Sequence, residues 1–221
     1  MLKLPGKFIY NNAANIVSIL GVLPLCILFA EGGYQYIVPL IIYNNIMDDL
    51  DGILAIKMNI KSDFGARLDN LCDGISHCFI VMAVAMHYGP VCAAAGLIAV
   101  TGIMLRVVSR LAPDTVTDTG SPTNELIRHI LFVLLLTPIF DLNASFLLSA
   151  VFILHAVSLN VPYQMPYLIR SITKSATAIC LVNAALVTAW LVPFAAPFIA
   201  GCFILTYLYS FTYRGIKWIK R

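Results

Sequence analysis

Residues 44–73 read NNIMDDLDGILAIKMNIKSDFGARLDNLCD, and the 26 positions from Asp48 to Asp73 hold six of the chain's 11 acidic residues. Apolar runs flank this stretch on both sides, so it reads as the end of one membrane helix, a short connection and the start of the next. Ionisable groups near a bilayer centre cost about 2.5–3.5 kcal/mol each on insertion scales, and less near an interface. A cluster of acids in such a place therefore calls for something that offsets the cost. Residues three or four apart share a helix face: Asp48 and Asp51 are three apart, Asp69 and Asp73 four apart. A connection of about eight to ten residues makes the two helices antiparallel neighbours. The four carboxylates are then expected to converge at one mouth of the membrane.

Working outward, 60% of the 221 residues are hydrophobic and only 11% charged, and the mean hydropathy is +0.89. A soluble domain needs far less apolar surface. Runs long enough to cross a bilayer fall at 13–31, 34–56, 65–87, 90–111, 124–140, 144–161, 174–193 and 195–214. The expected fold is an all-α integral membrane protein of about eight transmembrane helices. Counts of six or seven stay open, because Pro138, Asp141 and Asn143 read either as a turn between two helices or as a break within one region. Placing the spans this way puts all 14 Lys and Arg residues on one side, Arg170 and Lys174 among them. The positive-inside rule then predicts both termini to be cytoplasmic.

The net charge of +3 reflects this topology rather than a nucleic-acid partner. Residues 1–12, with Lys3 and Lys7 among apolar residues, suit a short interfacial segment. The remainder has no repeat, linker or evident cleavable signal, so 1–221 is read as one membrane domain. Cys26, Cys72, Cys78, Cys92, Cys180 and Cys202 lack paired ligand spacing and read as packing residues, and His77, His87, His129 and His155 are scattered.

Oxygen-rich acidic sites suit hard divalent cations such as Mg²⁺ or Mn²⁺, which would also bind substrate phosphates. Gly52 lies four after Asp48, Ala55 four after Asp51 and Gly65 four before Asp69, so small residues line the acidic faces. They leave room for a ligand, or they allow close helix contact. Asp49 and Asp63 fall outside the pattern. Asp49 is read as facing water or a basic neighbour, and Asp63 with Ser62 as a helix cap.

These residues resemble the CDP-alcohol phosphotransferase family, whose signature is DxxDGxxAR, eight residues, then GxxxDxxxD. Asp48, Asp51, Gly52, Ala55, Gly65, Asp69 and Asp73 occupy its positions, whereas Ile56 stands where the family has arginine, with Lys57 beside it. The resemblance implies metal held by Asp48, Asp51, Asp69 and Asp73. It implies substrate contacts around Gly52, Ala55 and Gly65, and Asp73 as the base that takes the acceptor alcohol's proton. It further implies a CDP-activated lipid as donor, CMP as leaving group and a homodimer.

Within that family, SDFGARLDNLCDGIS at 62–76 resembles the SxFGxxLDSLADxVS region of phosphatidylserine synthases, and LRVVSRLA at 105–112 with GSPTN at 120–124 is similar to their downstream segments. The match departs after Ser76, where HCFIVM follows, and Arg110 is displaced by one position. The implied reaction is phosphatidyl transfer from CDP-diacylglycerol to L-serine. Arg106 and Arg110 would contact phosphate or the serine carboxylate, or act only as cytoplasmic-side charges; the same two readings apply to Asn124 and to 160–166. Alternatives are another acceptor (inositol, glycerol phosphate or choline), a noncatalytic member that lacks the arginine, and a cation transporter. The membrane would be the plasma (inner) membrane in a prokaryote and an endomembrane in a eukaryote.

Overall fold

A computed structural model describes residues 4–111, 119–163, 165 and 176–220, and regular structure among them is helical, with no strand. The helices are α1 (Leu4–Asn11), α2 (Ala13–Val22), α3 (Ile37–Lys57), α4 (Asp63–His87), α5 (Pro90–Leu111), α6 (Thr123–Phe140), α7 (Ala144–Ser158), α8 (Ala176–Leu191) and α9 (Ala196–Ile219). Four of them, α4, α5, α6 and α9, are long and apolar enough to cross a membrane; Ala13–Phe29, α7 and α8 are shorter apolar helices. Arg170, Lys174, Lys3 and part of 160–166 lie outside the described residues.

Each expected apolar segment becomes helix, and the differences have local causes. The first run is α only to Val22 and continues as 3₁₀ through Leu23–Phe29. Pro24 has no N–H to give the Leu20 carbonyl four residues back, and the Tyr43 hydroxyl of α3 donates to that carbonyl instead (3.0 Å). The second run opens with a 3₁₀ turn, Gly33–Tyr36, before α3 begins. The α3–α4 connection is five residues, 58–62, shorter than the eight to ten expected. Asn59 ends α3 at φ 53°, and the Ser62 hydroxyl caps α4 by accepting from the Gly65 N–H (3.0 Å). Ser62 is thus the cap, and Asp63 simply sits in the first turn.

The Pro138 to Asn143 region is a turn between two helices. Pro138 stays inside α6, Asp141 takes the left-handed conformation at φ 51°, and Asn143 caps α7 through the Phe146 N–H.

Helix α4 lies along α5 and α5 along α7, α2 packs on α3 and α4, and α8 reaches α3. Lipid tails are as apolar as the helix surfaces, so close van der Waals fit drives such contacts. At Gly96 of α5 a Cβ would come within 2.4 Å of the Ala85 Cβ on α4. The core is formed by buried residues of several helices, including Ile80 and Val84 of α4, Ile103 of α5, Ile130 of α6 and Phe152 of α7. Cys72 and Cys92 are buried as packing residues, whereas Cys26, Cys180 and Cys202 face outward.

The segment before α6 is tied to the end of α7. The Gly120 and Ser121 N–H groups donate to the carbonyls of Tyr163 and Ser158, and Arg106 Nη1 donates to the carbonyls of Thr119 (2.6 Å) and Leu159 (3.1 Å). Gly120 has φ +72°, and a Cβ there would lie 2.1 Å from the Leu159 oxygen. Gly120→Ala is therefore expected to cost about 1–3 kcal/mol or more, read as a lower thermal unfolding midpoint in detergent. An unchanged midpoint would refute this close approach.

Candidate active site

The site is built where α3 and α4 return past each other across their short connection. Asp48 and Asp51 of α3 and Asp69 of α4 each offer a carboxylate oxygen, all within 4.8 Å of one another. Asp73, one turn further along α4, interacts with Asp48 and also with Asp69 and Asp51. Asp48, Asp69 and Asp73 are half-buried and Asp51 is buried, so the acids are recessed rather than fully solvated.

Two neighbours hold the α3 acids. Ser18 of α2 donates to Asp51, and Asn124 at the start of α6 donates to Asp48. Ser18 carried no sequence signal. Asn124 had two readings in the sequence, and its amide is placed on an acid of the cluster.

Gly52 is exposed, with open space among the described residues where a Cβ would project, so close helix contact does not account for it. Gly65 differs: a Cβ there would lie 3.0 Å from Asn15 Oδ1 of α2, so it also serves packing. Ala55 is half-buried, and Ile56, one turn beyond Gly52, is 63% exposed. Arg110 is exposed and interacts with Asp69, whereas Arg106 is buried and engaged with loop carbonyls. Asn160 donates to the carbonyls of Gly102 and Ala156, a helix-tying role.

Of the two readings of Asp49, facing water or a basic neighbour, the structure sets aside the first. Asp49 is 4% exposed, and its Oδ2 accepts from Asn45 (3.3 Å) and from Asn183 of α8 (2.8 Å). The period of α3 turns it inward, away from the face of Asp48 and Asp51. The sequence signal was the amide of Asn183, isolated in an otherwise apolar helix, since intramembrane polar groups are costly without partners. The histidines are also not all scattered: His129, in the second turn of α6, and His155, near the end of α7, meet at 2.7 Å, with Tyr207 edge-on to His129 and stacked on His155.

The donor set of the pocket is carboxylate oxygen throughout, which fits a hard divalent cation and no soft one. Three carboxylates this close repel one another unless a cation or protons intervene. Asp48, Asp51 and Asp69 are the residues that would hold such an ion, with Asp73 beside them.

No curated protein matches the chain. The family model for CDP-alcohol phosphatidyltransferase matches residues 11–162, which contain α2 to α7 and every acid of the pocket. Members transfer a phosphatidyl group from a CDP-activated lipid to an alcohol acceptor and use divalent metal ions. With the match covering well over half of the 221 residues and the acids gathered as that chemistry requires, this membrane protein belongs to the CDP-alcohol phosphatidyltransferase family.

Proposed function

We propose that the chain transfers the phosphatidyl group of CDP-diacylglycerol to L-serine and releases CMP. The observation that carries the transfer chemistry is the convergence of Asp48, Asp51 and Asp69 within 4.8 Å, with Asp73 alongside. The choice of serine rests on the resemblance of 62–76 and 105–124 to phosphatidylserine synthases.

Asp48, Asp51 and Asp69, with Asp73 beside them, would hold Mg²⁺ or Mn²⁺, which when bound would supply positive charge to the diphosphate and to the departing phosphate. The serine hydroxyl oxygen forms a new bond to the lipid-linked phosphorus, and the phosphoanhydride bond breaks with CMP as leaving group. Asp73 accepts the hydroxyl proton as general base, so no covalent enzyme intermediate is needed. The open space beside Gly52 admits the nucleotide end of the donor. Lys57, next to Ile56, and Arg110 supply the nearby positive charge that the family arginine would otherwise bring. The pocket opens to the cytoplasmic side, with both termini there, and the protein works as a homodimer in the plasma membrane of a prokaryote or an endomembrane of a eukaryote.

The test is CMP release by the purified protein with CDP-diacylglycerol and Mn²⁺, comparing L-serine with inositol, glycerol phosphate and choline. Serine-dependent release is the expected outcome. Release with another acceptor but not serine would reject the acceptor, and no release with any acceptor would point to a noncatalytic member.

A further inference from the structure

Behind the acidic face of α3 lies a second polar system that the transfer chemistry does not use. Asn183 of α8 donates to Asp49 Oδ2 (2.8 Å) and accepts from Asn45 Nδ2 (2.7 Å). Asn45 Oδ1 in turn accepts from Arg128 Nε of α6 (2.9 Å), and Arg128 pairs with Glu125 (3.2 Å) and lies 5.9 Å from the Phe203 ring of α9. Asn45, Asp49, Arg128 and Glu125 are all buried. Asn183 lies beyond residues 11–162, so the family match does not include it.

Two sets of contacts therefore grip α3 on neighbouring faces. Ser18 and Asn124 hold Asp51 and Asp48 on one side, and Asn183 and Arg128 hold Asp49 and Asn45 on another. Together they set the rotation of α3 about its axis. A carboxylate about 6 Å from that axis moves about 1 Å for a rotation of roughly 10°, and errors of that size cost activity at a preorganised site. We propose that Asn183 is a positioning residue for the acidic pocket: through Asp49 and Asn45 it holds α3 in the rotation at which Asp48 and Asp51 meet Asp69. This inference rests on the reading of the pocket as a divalent-metal phosphotransfer site.

The test uses the full-length protein in detergent, with Mn²⁺ binding followed by loss of the free-ion EPR signal and CMP release measured in parallel. Asn183→Leu keeps the γ-branched shape and removes both hydrogen bonds to α3. It is expected to weaken the Mn²⁺ Kd by about 10–100-fold and to lower kcat while leaving KM for CDP-diacylglycerol within a small factor. A purely packing role would leave the Mn²⁺ Kd unchanged, and a wild-type Kd in this variant overturns the proposal.

Should Asn183→Leu fail to fold, a reciprocal exchange decides. Asn183→Asp alone puts two acids together and is expected to lose Mn²⁺ affinity, whereas Asn183→Asp with Asp49→Asn restores a donor facing an acceptor and recovers it. A double variant no better than the single one overturns the proposal. Wild-type protein that neither binds Mn²⁺ nor releases CMP would instead overturn the phosphotransfer reading itself.

Discussion

Asp73→Asn is expected to lower CMP release by about 10²–10⁴-fold, the range that a positioned general base contributes. Asparagine keeps the size and the hydrogen-bonding oxygen of aspartate but cannot accept the acceptor's proton. Asp73 interacts with Asp48 beside the three-carboxylate group of Asp48, Asp51 and Asp69 rather than within it, which suits a base better than a principal ligand. The comparison that matters is the division of the effect. Loss of kcat with Mn²⁺ affinity held within a few-fold identifies a base, while parallel loss of both makes Asp73 principally a ligand. Wild-type turnover in the variant would remove Asp73 from the chemistry.

Asp51→Asn, and chelation of the wild type with EDTA, are each expected to abolish CMP release, with Mn²⁺ or Mg²⁺ restoring it only in the wild type. The same substitution has a stability signature of opposite sign. Charges within 4.8 Å of one another repel by about 3 kcal/mol or more per pair at an effective dielectric of about 20. Removing one charge is therefore expected to raise the metal-free unfolding midpoint, by about 1–2 kcal/mol in stability, as at other sites that trade stability for function. In the wild type, Mn²⁺ at 100 times its Kd should add about 2.7 kcal/mol, and in Asp51→Asn it should add little. Thermal unfolding with and without Mn²⁺ measures both terms. A variant destabilised without metal, or one still stabilised by it, would show that Asp51 is not part of a repulsive metal-binding set.

The helices were legible because a membrane imposes a simple rule, that backbone polar groups be satisfied within the segment. Hydropathy alone therefore located α4 and α5 to within two residues of their ends. Where an end was misplaced, the cause was a specific residue: Pro24 turned α2 into 3₁₀, and Ser62 drew the start of α4 forward by capping it. Pro138 was ambiguous because a proline can sit inside a membrane helix once neighbours accommodate its missing bond, and the helix in fact ends on the left-handed Asp141.

The sequence by itself determined the acids of the pocket, since Asp48 with Asp51 and Asp69 with Asp73 are paired by helical period, and a short connection brings the pairs together. These are local properties, set by spacing over tens of residues. Only the tertiary structure decided which polar groups hold them. Asn124 reaches Asp48 across 76 residues, and Asn183 reaches Asp49 across 134. A hydrogen bond depends on position to a few tenths of an ångström, and such placement between distant helices follows from packing, which no spacing in the chain encodes. For the same reason Arg106, read from the sequence either as a substrate contact or as a cytoplasmic-side charge, is found bracing the carbonyls of Thr119 and Leu159.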